Sequence, residues 1–338
     1  MIKFKLFESD YIIVWGLFNM STQTASLVKT LNLKNFTHGT SEQRNDFAAQ
    51  FEAGLKETGF IILEGHGVNT HLIEKNYELW EKFFTLDTEI KQKYEGVEGG
   101  ARGYTGFGKE HAKNRSVGDL KEFFHVGQEL PVGHPLSSDY AANVWPEEVA
   151  ELRQYALNFY RELERVARNM LEALAIQMDL RPRFFADMIQ DGNSILRAIH
   201  YPPLDDSMDK GAIRAGEHED INLITLLVES TASGLELLTR EGEWVPVKAE
   251  KGQIIVDAGD MLSRITNEVI PATTHRVVNP EGENTSRYSM PFFVHPYPNS
   301  LLETIPSCIS EDNPEKYPAI TAGDFLYERL VEIGLIKK

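Results

Sequence analysis

The chain predicts an α+β fold whose core is mainly β, a jelly roll or barrel of short strands with helices flanking it. Three observations carry that reading. Up to about residue 192 the apolar positions recur mostly at helical spacing, with the longest such pattern between Pro146 and Met178. After Asn193 they fall into short runs broken by Gly, Pro, Asp and Asn, a length and punctuation that suit strands. With 338 residues, 42% of them hydrophobic, the chain can fill a sizeable core.

The elements follow in order. Residues 1–27 are an N-terminal extension, and its apolar run Tyr11–Phe18 is shorter than the roughly 20 residues a membrane helix needs. Glu8 and Asp10 stand where a secretory leader would carry basic residues, so we expect a start placed too far upstream, with Met20 as an ordinary beginning and a packing strand as the alternative. Residues 28–145 form an N-terminal α/β region. In it Val28–Leu33 alternates like a strand, Ser41 caps a helix through about Thr58, and Phe60–Leu63 is a short buried strand ended by Gly65 and Gly67. A second helix runs near His71 to Phe84 on the apolar positions Leu72, Ile73, Tyr77, Trp80 and Phe84. The glycine-rich stretch Gly99–Gly108 lacks the order of strand, GxGxxG and helix that a phosphate loop needs. Residues 146–192 supply buttressing helices, with Leu152, Phe159, Leu163, Val166, Met170 and Leu174 keeping one side apolar. The core spans 193–298, with strands at Ile195–Tyr201, Ile221–Val228, Leu235–Thr239, Trp244–Val247, Gln253–Val256, Thr274–Val278 and Arg287–Val294. In the tail, 299–338, Thr321 caps a last helix, Ala322–Ile333.

Charge narrows the partners. Thirty-four basic against 51 acidic residues leave a net charge of −17, which repels nucleic acid and anionic membranes but says little about a small-molecule substrate. The single cysteine, Cys308, cannot form an internal disulfide, so a reducing, cytoplasmic setting is expected, with Cys308 as a small packing or surface residue.

Chemistry concentrates in three short motifs. In Gly216-Glu217-His218-Glu219-Asp220, a strand would turn His218 and Asp220 to one face and Glu219 to the other. Far downstream, Thr274-His275-Arg276 offers a third ligand from a distant strand. Two histidines and a carboxylate on one face of an octahedron are the facial triad of non-haem Fe(II) oxygenases, and the open positions suit catalysis rather than scaffolding. Taken alone an HxD pair is common, and most of the ten histidines belong to surface or core. Its company decides the matter. Arg287-Tyr288-Ser289 places a guanidinium and a hydroxyl on one strand face, a fitting receptor for a carboxylate, and Phe293 shares their parity.

With these motifs the chain resembles the isopenicillin N synthase-like branch of the Fe(II)/2-oxoglutarate-dependent oxygenases, over most of residues 30–335. Further matching stretches are Thr58–Val68, Gly103-Tyr104, Asp119–Phe123, His200–Pro203, Gly234–Leu237, Gly259-Asp260 and Thr274–Val277. The resemblance implies a double-stranded β-helix with Fe(II) at one open end, and 2-oxoglutarate held by Arg287, Ser289 and a hydroxyl from Tyr201. It implies an enzyme that oxidises a small molecule with O₂ and releases succinate and CO₂, hydroxylation being the default and desaturation or ring closure being open. Arg102 and Tyr104 would then lie on a substrate-facing loop, and Phe293 would line the pocket. One position departs: plant relatives usually carry Asn two residues before the tyrosine of the Tyr-Pro motif, and this chain has Ile199. Isopenicillin N synthase is also apolar there and uses no oxoacid. An Fe(II) oxidase without 2-oxoglutarate is therefore the second reading, and a non-catalytic jelly-roll binding protein the third. His66, His200 and His295 lack partners at metal spacing and read as structural, and Asp257 and Asp260 read as bracketing a tight turn.

Overall fold

The computed structural model describes residues 27–96, 101–109, 118–205, 212–228, 230–280 and 283–332, and the extension before residue 27 lies outside them. The first half contributes β1 (Lys29–Asn32), α1 (Leu33–Thr37), α2 (Ser41–Thr58), β2 (Phe60–Glu64), α3 (Thr70–Phe84), α4 (Thr88–Gln92), β3 (Gly103–Thr105), β4 (Glu122–Gly127), α5 (Leu152–Gln177) and α6 (Phe184–Ile189). The second half adds β5 (Ile195–Tyr201), β6 (Ala215–His218), β7 (Ile224–Val228), β8 (Leu235–Leu238), β9 (Trp244–Pro246), β10 (Ile254–Ala258), α7 (Asp260–Ile265), β11 (His275–Val277), β12 (Arg287–Val294) and α8 (Ala322–Glu332). Local chemistry explains several boundaries. Thr40, rather than Ser41, caps α2: its hydroxyl accepts the Gln43 amide at 3.3 Å while the Gln43 side chain accepts the Thr40 amide at 2.9 Å. Gly59 closes the same helix at φ 72°, where a side chain would be strained.

Two sheets face each other. The larger runs β1-β2-β10-β7-β12-β5-β4-β3, parallel only between β1 and β2, and the smaller runs β6-β11-β8-β9. Strands from the N-terminal region thus complete the sheet that the core begins.

Strand alternation then sorts the side chains. On one face of the large sheet Phe124, Leu196, Leu226, Val256 and Phe292 join the main apolar core beneath α2, α3 and α5. On the other face Phe60, Ile62, Phe123, Ile199 and Tyr201 meet Ala215, Leu235, Leu237 and Val277 of the small sheet, forming a second, smaller core. That second face is the interior of the jelly roll. It is where residues of both sheets can converge on one point.

Candidate metal and oxoacid site

β6 and β11 pair so that His275 lies directly opposite His218, with ring centroids 4.4 Å apart. The strand expected to carry both His218 and Asp220 stops at His218, so Asp220 owes its position to other contacts. Thr225 of β7 donates its hydroxyl to the Asp220 carboxylate, and the Asp260 amide donates to the Asp220 carbonyl at 2.7 Å. Gly259 allows that approach, since a Cβ there would sit 2.4 Å from the Asn222 carbonyl oxygen and 2.7 Å from that of Asp220. The ligand set therefore bridges the two sheets.

Asp220 Oδ1 lies 3.8 Å from His218 Nε2 and 3.9 Å from His275 Nε2, and one ligand atom from each residue falls within 4.8 Å of the others. Both Nδ1 atoms are spoken for: His218 Nδ1 donates to the Gly216 carbonyl at 2.7 Å and His275 Nδ1 to that of Thr273 at 3.1 Å. A carbonyl can only accept, so the proton sits on Nδ1 and the Nε2 lone pairs are turned toward Asp220. Electrostatics agrees. Burial, reinforced by His275, pushes the His218 imidazole down to about 4 and keeps it neutral. Burial works against the Asp220 charge, but the two imidazoles and the Thr225 bond outweigh it and hold the carboxyl below its usual range. Two imidazole nitrogens and one carboxylate are a fitting donor set for Fe(II). Asp257 is not in a turn but within β10, buried, and burial together with Asp220 pushes its carboxyl well above the usual range.

Deeper in the same interior, Arg287 pairs with Tyr201 and Ser289 with Ile199 along β12 and β5. The Arg287 guanidinium lies 4.9 Å from the Tyr201 ring centre, its Nε donates to the Ala232 carbonyl at 3.0 Å, and its buried Nη1 has no partner. Phe293 faces the interior as well, with the Arg197 guanidinium 5.1 Å from its ring and 4.3 Å from that of Phe123.

Other expected residues fall elsewhere. The Arg102 guanidinium occupies the space that a side chain at Gly127 would need, 1.9 Å from a Cβ there, and its Nε and Nη2 are buried without partners. Tyr104 turns away from the metal ligands: it pairs with Phe124 on the helix-covered face, where its hydroxyl donates to Glu122 and its ring meets Phe83. His66 accepts the Val68 amide, His200 bonds Glu122 at 2.8 Å, and His295 is buried and held neutral by burial at about 4. Sequence reasoning missed Thr225, Arg197 and Arg214. Parity with Ile199 and Tyr201 along β5 could have placed Arg197 in the interior; a lone arginine at 214 and a threonine among apolar neighbours carry no such signal.

A jelly roll in which two histidines and a carboxylate converge has the ligand set of a mononuclear non-haem iron enzyme. Residues 28–148 match the model of the non-haem dioxygenase in morphine synthesis N-terminal family, and residues 192–296 match the 2OG-Fe(II) oxygenase superfamily. The 2-oxoglutarate-Fe(II) type oxidoreductase ppzD of Metarhizium rileyi is 31% identical over 326 residues, 90% of each chain. A 2OG-Fe(II) oxygenase family protein from Caulobacter crescentus superposes with TM-score 0.82 at 39% identity, covering 90% of this chain and 99% of its own. A full-length Neurospora crassa protein solved in complex with alpha-KG gives a TM-score of 0.80 at 28% identity, covering 89% of this chain and 95% of its own. The chain belongs to the 2OG-Fe(II) oxygenase superfamily. It is an Fe(II)- and 2-oxoglutarate-dependent dioxygenase that oxidises a small molecule with O₂. Among the described residues no helix is long and apolar enough to cross a membrane.

Proposed function

We propose that His218, Asp220 and His275 hold Fe(II), that Arg287, Ser289 and Tyr201 receive the far carboxylate of 2-oxoglutarate, and that the enzyme hydroxylates a small polar metabolite. The observation that carries the reading is the convergence of His218 Nε2, Asp220 Oδ1 and His275 Nε2 within 4.8 Å, with both Nδ1 atoms tied to carbonyls. With iron and 2-oxoglutarate bound, the centre supplies O₂-driven oxidation of a substrate C–H bond, coupled to release of succinate and CO₂. The protein's part is positional. His218 and His275 present their Nε2 atoms, Asp220 supplies the single negative charge, and Thr225 fixes the orientation of that carboxylate. Arg287 offers its unpartnered Nη1, and Ser289 a hydroxyl, to the oxoacid.

Phe293, Phe123 and the Arg197 guanidinium form a flat, partly cationic wall for the substrate. A small polar substrate is in keeping with the Neurospora crassa neighbour, which has also been solved with alpha-KG and thymine. The test is O₂-dependent formation of succinate from 2-oxoglutarate by the iron-loaded protein, screened against small heterocycles and carboxylates. Succinate should form and rise with the true substrate. Oxygen uptake without any succinate would overturn the proposal.

A further inference from the structure

We propose that Arg214 is a second guanidinium of the oxoacid pocket, so that the far carboxylate of 2-oxoglutarate is held by Arg214 and Arg287 together; this rests on the oxoacid assignment just made. Both side chains are buried to 1% exposure and gather at one ring, with the Arg214 guanidinium 5.9 Å and that of Arg287 4.9 Å from the centre of Tyr201. Each spends only part of its donor set on the protein. Arg214 Nη2 donates to the Thr285 carbonyl at 2.7 Å and Arg287 Nε to that of Ala232 at 3.0 Å, leaving Arg214 Nε and Arg287 Nη1 buried and unpartnered.

Among the described residues neither guanidinium is paired with a carboxylate. Asp119, which accepts the Gly216 amide at 3.0 Å two residues along from Arg214, is already engaged by Lys121 Nζ at 2.9 Å. Burial, and then repulsion from Arg287, pulls the Arg214 pKa down. Two buried like charges with unused donors are costly until an anion joins them, and a carboxylate with two oxygens can take one donor from each. The backbone holds Arg214 ready: its amide donates to Asn279 Oδ1 at 3.1 Å, and the Leu120 amide donates to the preceding carbonyl of Ile213 at 3.1 Å. A single arginine could serve any carboxylate, whereas two set at one place favour an oxoacid that carries a second carboxylate over one that does not.

Binding, rather than turnover, tests this. The Fe(II)-loaded protein is titrated without O₂ with 2-oxoglutarate and, separately, with 2-oxobutyrate, whose chelating end is the same but which lacks the far carboxylate. For Arg214→Met we expect the dissociation constant for 2-oxoglutarate to rise about tenfold to a hundredfold, the loss of one charged hydrogen bond. That for 2-oxobutyrate, and the affinity for Fe(II), should stay as in the wild type. Arg214→Lys keeps the charge in a side chain of similar length, serves if the methionine variant does not fold, and should retain part of the affinity. Unchanged 2-oxoglutarate binding in both variants would overturn the proposal, as would an equal loss for both oxoacids, which would mark Arg214 as a support for Asn279 and Thr285. A wild-type protein that binds iron but no 2-oxoglutarate would instead overturn the oxoacid assignment itself.

Discussion

Thr225 carries more of the metal site than its residue type suggests. It is 3% exposed, donates to the Asp220 carboxylate, and accepts from Asn222 Nδ2 at 2.8 Å, so it fixes which way the one charged ligand points. Thr225→Val keeps the shape and removes the donor; outer partners of this kind are worth about tenfold to a hundredfold in metal affinity. Competition with a coloured chelator should show a loss of that order, and an unchanged Fe(II) constant would show that Thr225 only packs. At the other end, Arg287→Lys substitutes a point charge for a planar fork, and we expect the half-saturating concentration of 2-oxoglutarate to rise about tenfold to a hundredfold with iron affinity unmoved. A shift in iron affinity instead would mean that Arg287 shapes the metal ligands. At this scale the sequence was legible where residues form a motif: His218, Asp220, His275, Arg287 and Ser289 could each be named from spacing. It was silent where a residue acts alone, because nothing local sets Thr225 apart from other strand threonines or Arg214 from other arginines. The pairing that matters is made across sheets.

Among the elements, β6 shows how an argument from alternation can reach residues that do converge, for an incomplete reason. Asp220 faces His218 and His275 not through strand parity but because the loop past His218 is pinned by Thr225 and by the turn at Gly259. The long elements were legible because their periods are strong: β5 and β12 have the expected bounds, and α2 runs from Ser41 to Thr58 as expected. Short helices such as α1, α4 and α7, of five or six residues, carry too few turns to show a period and were missed. α5 is the buttress of the whole assembly, and Leu163 lies at 0% exposure on its apolar side. Leu163→Ala should cost about 2–5 kcal/mol through the cavity it leaves, lowering Tm in a melting experiment. Iron affinity measured well below that Tm should be unchanged, and a matching loss of iron binding would show that the buttress and the site are coupled.

For the molecule as a whole, burial of neutral histidines has a consequence for stability. His218 and His295 are both pushed down to about 4 by burial, whereas an unfolded imidazole titrates near 6.5. Between those values the unfolded chain binds more protons than the folded one, so stability of the iron-free protein should rise with pH across that window. It should fall as pH drops from about 6.5 to about 4, by up to about 1.4 kcal/mol per pH unit for the buried His295 and by less for His218, whose side chain is 37% exposed and screened by solvent. Urea melts at stepped pH check this, and a flat midpoint over the window would show that neither ring is buried neutral. Iron should blunt the His218 share, since the bound metal holds that ring deprotonated.

The most direct measurement of the central claim is an anaerobic titration of the iron-free protein with Fe(II), with and without 2-oxoglutarate, following the visible charge-transfer absorption of the iron chelate. One equivalent of iron should give that absorption only when 2-oxoglutarate is present, and His218→Ala, Asp220→Ala and His275→Ala should each abolish it while remaining folded. Full absorption in any of these three variants, or iron bound by the wild type with no change on adding 2-oxoglutarate, would contradict the account.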